Sequence, residues 1–190
     1  LVFNSISYFN SINDAVLNGF FNASSFMSST GFSIGNVNIY PSVCRIWVLF
    51  IMAVSSCAGS TCGGFKVSRL ILIFKIMKRD LQKMVHPNCV KTITFDGKKV
   101  EEETLESTKS FMFLYIVLML LILFIVGFDG LPFETSINAV FTTFGNVGLY
   151  FEIPNFSIFS SISKIALSCG MLLGRLEIYP IIALVYNRRK

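Results

Sequence analysis

Long apolar stretches separated by short polar segments dominate the sequence. Residues 111–128 form an uninterrupted apolar run between Lys109 and Asp129. At a rise of ~1.5 Å per residue, a helix over such a run is long enough to cross the ~30 Å hydrocarbon core of a bilayer. The pattern therefore predicts a membrane-spanning helix here.

A second apolar stretch, residues 43–77, is too long for one straight crossing, and its middle, residues 55–64, is rich in glycine and serine. Irregular backbone at membrane depth survives only where it lines a cavity or is buried in protein. Two interpretations compete: a water-exposed loop between two short helices, or a discontinuity inside one crossing. Because nothing charged occurs between Arg45 and Lys66, we favour the discontinuity.

The third span is predicted over residues 157–185, and it contains Arg175 and Glu177. A charge inside a span is costly and by default indicates a function. The alternative is that both residues mark the end of a short helix. The apolar pattern continues for several residues before the basic tail 188–190, which favours a buried charge.

Two further helical segments, residues 13–27 and 132–144, are too short to span a bilayer. Each is followed by a small or β-branched residue and a glycine, the layout of a re-entrant pore helix and its filter. The carboxyl end of such a helix attracts a cation, and carbonyl oxygens of the following loop can replace the water of a potassium ion. The predicted filter residues are Ser29, Thr30, Gly31, Phe32, Asn146, Val147, Gly148 and Leu149.

The composition agrees with a membrane protein of the all-α class. Hydrophobic residues make up 53% and charged residues 14% of the chain, with a mean hydropathy of +0.66, whereas soluble domains carry about 25% charge. The net charge of +5 does not indicate nucleic-acid binding, because the basic residues flank apolar segments. By the positive-inside rule, residues 78–107 and the C-terminus are cytoplasmic. Within that segment, Asp96 and Gly97 predict the turn of a β-hairpin.

Catalytic or metal-binding chemistry is not indicated. The five cysteines fit neither a disulfide framework nor a CxxC pair, and His86 with Cys89 is too small a set for a zinc site. No catalytic motif is present, so we expect neither an enzyme nor a cofactor.

An internal repeat connects these segments. A shift of 117 positions superposes Gly31 on Gly148 and Thr30 on Val147, and it sets Ala58 opposite Arg175. The chain therefore contains a repeated unit of spanning helix, pore helix, filter and spanning helix, whose first copy lacks its opening helix. Since Leu1 is not a start methionine, we expect that more of the protein precedes it.

The motifs resemble the Trk/Ktr/HKT superfamily of potassium-translocating membrane proteins, most closely the Trk type. The similarity rests on TGFS (residues 30–33), AGSTCGGFKVSR (58–69), FGNVGL (144–149) and MLLGRLEIYP (171–180). Two positions depart from the Trk pattern: Leu149 replaces a frequent proline and is closer to Ktr, and Cys62 replaces a glycine.

This resemblance implies a pseudo-four-fold, channel-like fold built from four pore repeats. Residues 1–79 would be the third repeat, 80–107 a cytoplasmic hairpin and linker, and 108–190 the fourth repeat. It implies potassium as substrate and an intramembrane gate loop in contact with Arg175. The implied gate-loop residues are Ala58, Gly59, Ser60, Thr61, Gly63 and Gly64.

The same resemblance implies a bacterial inner membrane, an obligatory N-terminal half, a homodimer and a cytosolic nucleotide-binding regulatory subunit. Three alternatives stay open. A sodium-coupled or sodium-permeable transporter would share the same filter chemistry. A membrane thiol oxidoreductase would use Cys57 and Cys62. A structural membrane subunit would not conduct ions at all.

Overall fold

The computed structural model describes residues 11–55, 60, 62–86, 92–149, 151 and 155–176. Helices dominate this part of the chain: α1 (Ile12–Met27), α2 (Ser42–Ala53), α3 (Val67–Val85), α4 (Glu102–Gly127), α5 (Phe133–Phe144) and α6 (Ser161–Leu176). Single-turn 3-10 helices at Val37–Ile39 and Phe156–Ile158 precede α2 and α6. The short strands are β1 (Val54–Ser55), β2 (Phe65–Lys66), β3 (Thr94–Phe95) and β4 (Lys98–Lys99).

Helix α4 contains the uninterrupted apolar run. Over the described residues it is the one helix long and apolar enough to cross a membrane, while α2 is a shorter apolar helix. Glu102 and Glu103 lie in its first turn, where carboxylates interact favourably with the helix dipole. Phe113 and Phe124 on this helix are 72% and 69% exposed. Large apolar side chains in such positions fit a hydrocarbon environment.

The two short helices α1 and α5 end in the same backbone motif. The N–H of Thr30 donates to the carbonyl of Ser25 at 3.0 Å, and the N–H of Val147 donates to that of Thr142 at 3.0 Å. These are the six-to-one hydrogen bonds of a Schellman motif, which ends a helix at a left-handed residue. The predicted repeat at 117 positions is therefore present in the backbone.

The repeat continues beyond the loops with a larger offset. Asn36 caps the first 3-10 helix and Asn155 caps the second, each accepting a hydrogen bond from the N–H two residues ahead. These residues are 119 positions apart, as are the first residues of α2 and α6. The expected alignment of Ala58 with Arg175 involves a residue outside the described part of the chain, but two extra residues before α6 mean that the shift of 117 positions does not hold at the starts of α2 and α6. At the larger offset Arg175 corresponds to Ser56.

The second predicted crossing is broken, as its glycine-rich middle indicated. Helix α2 ends at Ala53, and β1 then pairs in parallel with β2 through Val54 with Phe65 and Ser55 with Lys66. Helix α3 follows directly. The strand pair brings the two ends of the intervening segment side by side. Residues 56–64 are called the break below, and its described residues are Ser60, Cys62, Gly63 and Gly64.

The predicted hairpin joins α3 to α4. Strands β3 and β4 are antiparallel, with Thr94 opposite Lys99 and Phe95 opposite Lys98. The turn residues Asp96 and Gly97 have φ of +49° and +76°, as a two-residue type I′ turn requires.

Helices α3 and α4 are also joined by a buried charge. Arg79 is only 6% exposed, and its guanidinium contacts the Glu102 carboxylate at 2.7 Å. Before the start of α3, the ring of Phe65 in β2 packs against the rings of Phe111 and Tyr115 in α4. The segment that follows the break is therefore fixed against the spanning helix at both levels.

A hydrophobic core forms where α4, α5 and α6 meet. Tyr115 and Phe144 make an edge-to-face ring contact at 5.4 Å, with Leu167 in the same cluster. A second cluster contains Phe26, Val48, Val147 and Phe151. Since Phe26 and Phe144 lie at the ends of α1 and α5, both loops that follow begin from well-packed positions.

Candidate functional site

Two loops of matching conformation form the candidate site: the first glycine loop (residues 28–33) after α1 and the second glycine loop (residues 145–149) after α5. Ser29 and Gly31 have φ of +53° and +79°, and Asn146 and Gly148 have φ of +52° and +78°. Such left-handed positions, alternating with ordinary ones, allow successive carbonyl groups to turn toward one side. The loops repeat in local geometry as well as in sequence.

The two glycine loops touch each other. The hydroxyl of Ser29 donates to the carbonyl of Gly145 at 2.8 Å. A Cβ on Gly31 would overlap the carbonyl oxygen of Val147. Glycine at this position therefore permits both a left-handed backbone and the close approach of a carbonyl from the neighbouring loop.

A pore-helix hydroxyl holds the far end of the second loop. Thr142 of α5 is buried and donates to the carbonyl of Leu149 at 2.7 Å. At the equivalent position of α1, the hydroxyl of Ser25 is buried and has no hydrogen-bond partner among the described residues. The two loops therefore differ in how their carbonyl groups are held.

The chemistry available in these loops is that of neutral oxygens. Neither loop contains a charged side chain, and no group of three His, Cys, Asp or Glu side chains occurs among the described residues. The available ligands are backbone carbonyls, the side-chain carbonyl of Asn146 and the hydroxyls of Ser28, Ser29, Thr30 and Ser33. Such a set suits a weakly held monovalent cation rather than a tightly bound transition metal.

The break ends beside the start of both glycine loops. The thiol of Cys62 donates to the carbonyl of Ser28 at 3.1 Å. A Cβ on Gly63 would lie 2.6 Å from the Asn146 Nδ2 atom and 3.0 Å from the Gly145 oxygen. Ser60 and Gly64 are also described, and the Ser60 hydroxyl is buried with no hydrogen-bond partner within the described part of the chain. The expected gate residues Ala58, Gly59 and Thr61 lie outside the described residues, as does Cys57.

Helix α6 contacts the break through Gly174. The N–H of Gly64 donates to the Gly174 carbonyl at 3.2 Å, and a Cβ on Gly174 would overlap the carbonyl of Phe144. Arg175 itself is exposed, and no hydrogen bond or ion pair joins it to the described residues. The residue next to the predicted arginine thus makes the contact seen between α6 and the break.

Sequence reasoning missed three contributors: the side chains of Thr142 and Asn146, and Gly174. The Asn146 amide donates to the Met171 carbonyl of α6 at 3.1 Å. A threonine in the last turn of a pore helix carries no distinct pattern, and the asparagine was assigned to the filter through its backbone alone. Only Gly174 gave a local signal, as a small residue one position before the arginine of the GRLE motif.

Polar contacts fix the other ends of the helices. The Arg45 guanidinium of α2 contacts the Glu134 carboxylate of α5 at 3.5 Å, and the N–H of Ser160 donates to Asp129 at 3.1 Å. Slight burial would raise the pKa of the Asp129 carboxyl. Hydrogen bonds from Ser160 and Ser163 and the positive charge of Lys164 outweigh that effect and hold the pKa below its ordinary value. The carboxylate thus connects the end of α4 to the start of α6.

Known proteins share this fold. The potassium transporter TrkH from Vibrio parahaemolyticus, a solved structure, superposes with a TM-score of 0.79 at 26% identity, over 96% of this chain and 40% of its own. The Trk system potassium uptake protein TrkG from Escherichia coli is 31% identical over 175 residues. The TrkH protein from Halomonas elongata is 32% identical over 167 residues. The predicted all-α membrane fold with pore-helix repeats is confirmed by this likeness.

The chain spans about a third of the length of these relatives: 36% of TrkG and 34% of the Halomonas protein, against 91% and 86% of the chain itself. Residues 2–187 match the TrkH family profile, described as "Cation transport protein". With the repeated pore helices and glycine loops, this match over nearly the whole sequence shows that the chain belongs to the TrkH family of cation transport proteins.

Proposed function

We propose that this chain supplies two of the four pore repeats of a potassium uptake protein, and that its two glycine loops form half of the selectivity filter. The main support is the matched left-handed backbone of the two loops, which face each other where Gly31 meets the Val147 carbonyl. Carbonyl oxygens turned toward a shared axis can replace the hydration shell of potassium. The names of the relatives, Trk system potassium uptake proteins, agree with this substrate.

Two repeats cannot enclose a four-fold pore. A complete transporter therefore needs two further repeats, which we assign to an N-terminal half of the same protein. We also propose a homodimer in a bacterial inner membrane with a cytosolic nucleotide-binding regulator, and we assign residues 78–107 and the C-terminus to the cytoplasmic side. The basic residues of that segment support this orientation by the positive-inside rule.

The break is proposed as the gate. Its described end, Cys62 and Gly63, lies against the first residues of both glycine loops, which is the cytoplasmic entrance of the filter in this topology. Glycine has many accessible backbone conformations, so a glycine-rich segment can change between arrangements. We assign Arg175 to a positive electrostatic barrier near the same entrance.

Potassium uptake by the full-length protein tests the first proposal. Cells that lack their own potassium uptake systems should grow at low potassium when they express it, and purified protein should carry potassium into liposomes in preference to sodium. Equal potassium and sodium flux would indicate the sodium-permeable alternative, and no flux of either ion would contradict transport.

The gate has a separate test. Shortening residues 58–63 or introducing Arg175→Ala should raise potassium flux in liposomes without the regulator, since each removes an obstacle at the filter entrance. Arg175→Lys, which retains the charge, should have a smaller effect. A folded protein with a shortened break that conducts less than the wild type would assign the break a structural role.

A further inference from the structure

The carboxamide of Asn146 lies where three backbones meet. Its Nδ2 atom donates to the Met171 carbonyl of α6 at 3.1 Å. The same atom is 2.6 Å from the position that a Cβ on Gly63 would occupy and 3.2 Å from that of a Cβ on Gly174. One side chain of the second glycine loop therefore contacts both the break and α6.

These contacts join the second glycine loop, the end of the break and α6 to one another. Met171 and Gly174 are three residues apart on α6 and share one face of the helix. The Gly174 carbonyl accepts the hydrogen bond from the Gly64 N–H at 3.2 Å. The Asn146 amide and the Gly64 amide thus bind neighbouring carbonyls of one helix face, and Gly63 packs between them. Moving the break away from the filter entrance requires that the hydrogen bond from Gly64 to Gly174 and the packing of Gly63 against the Asn146 amide separate, and the hydrogen bond to Met171 holds that amide in place.

The equivalent side chain of the first glycine loop makes a different contact. Ser29 has the same left-handed backbone as Asn146, with φ of +53° against +52°. Its hydroxyl instead donates to the Gly145 carbonyl of the other loop. The backbone requirement at this position is therefore met by two residue types, and the longer side chain of Asn146 serves a separate purpose.

We propose that the Asn146 side chain is a positioning residue that holds the break closed under the filter, by attaching it and α6 to the base of the second glycine loop. The proposal rests on the assignment of the loops as filter and the break as gate. Asn146 keeps its backbone in the filter while its amide restrains the gate. Loss of the amide should therefore favour the open gate and leave the filter carbonyls in place.

Asn146→Gly in the full-length protein is the sharpest test, because glycine retains the left-handed backbone and removes the amide. Asn146→Ser is the second variant: it introduces the residue that adopts this conformation in the first loop, with a side chain too short to reach Met171. One net hydrogen bond corresponds to a roughly 2- to 10-fold shift in a two-state equilibrium. We expect both variants to raise basal potassium flux in liposomes by about that factor, with an unchanged potassium-to-sodium flux ratio.

Ser168→Ala is the matched control. Its hydroxyl also donates to a carbonyl of α6, that of Lys164 at 2.8 Å, but the side chain is exposed. Both partners of this hydrogen bond belong to α6, so the bond attaches the helix to neither the break nor the second glycine loop. This variant should leave basal flux unchanged.

Wild-type basal flux in both Asn146 variants would overturn the proposal, and so would a fall in the flux ratio, which would assign the amide to ion selection. Failure of both variants to fold would make the amide a structural element and would overturn it as well. A wild-type protein that carries no potassium under these conditions would contradict the proposed function itself, which is a different outcome.

Discussion

Replacing Gly31 with alanine would test the filter assignment most directly. The new Cβ imposes two separate costs. A side chain at a left-handed position costs roughly 1–2 kcal/mol, and the Cβ would overlap the Val147 carbonyl oxygen. To restore an ordinary contact, that oxygen must move by about 1 Å. The substitution in one loop therefore displaces a carbonyl of the other.

Gly148 provides a matched control for the backbone cost. Its φ of +78° is nearly identical to the +79° of Gly31. A Cβ on Gly148 would meet nothing within 4 Å among the described residues. The two alanine variants therefore share the strain of a left-handed side chain, and only Gly31→Ala displaces a carbonyl of the other loop.

The expected effect follows from ion coordination. A carbonyl displaced by about 1 Å no longer fits the potassium it should coordinate, and each 1.4 kcal/mol of lost preference for potassium is tenfold in selectivity. We expect Gly31→Ala to lower the potassium-to-sodium flux ratio about tenfold and Gly148→Ala by only about two- to threefold. The measurement is ion-competition uptake in liposomes, with protein amounts matched by size-exclusion chromatography. An equal loss in both variants, or no loss in Gly31→Ala, would refute the assignment of this contact to the selectivity filter.

Three further predictions use other contacts. Thr142→Val should lower potassium selectivity and lower the free energy of unfolding by about 1 kcal/mol, because it removes the hydrogen bond to the last carbonyl of the second loop. Ser25→Ala should change neither the selectivity nor the free energy of unfolding. Equal effects of the two substitutions would contradict this reasoning. Glu102→Gln should lower the melting temperature in detergent and lower the free energy of unfolding by about 1–3 kcal/mol, because it leaves the buried Arg79 guanidinium without its closest carboxylate. An unchanged melting temperature would show that this ion pair does not stabilise the fold. The Asp129 carboxyl has a pKa below its ordinary value of 3.8 in the folded protein, so the stability that it contributes is complete above that value and is lost as the pH falls through the folded-state pKa. The melting temperature of the wild type should therefore exceed that of Asp129→Asn at pH 7, and the difference should shrink below about pH 4. A difference that does not change with pH would exclude the ionised carboxylate as its cause.

Features that depend on local chemistry could be predicted from the sequence. Asp96 and Gly97 specify their turn through φ values that few other residues adopt, and Gly31 and Gly148 mark the two loops for the same reason. The break could be predicted because glycine and serine disfavour a continuous helix, while the absence of charge keeps the segment within the apolar stretch. These signals are contained in a few neighbouring residues.

Features that depend on packing between distant segments could not be predicted from the sequence. The shift of 117 positions holds through the loops, but two extra residues before α6 change it to 119, and no local pattern indicates where an insertion falls. The Asn146 amide reaches Met171 across 25 positions of sequence. The contact of α6 with the described end of the break is at Gly174, and this close approach depends on the crossing of two backbones, which residue types do not encode.

The difference between α2 and α6 has a mechanical consequence. At the offset of 119 positions, residues 173 and 174 of α6 remain helical, whereas their counterparts Val54 and Ser55 have left the helical path. Of the two segments described, α6 is therefore helical at positions where its counterpart is extended. In the pore proposed above, two such walls would differ in stiffness, so a substitution in the extended segment should change how often the channel opens more than one at the matching position of α6.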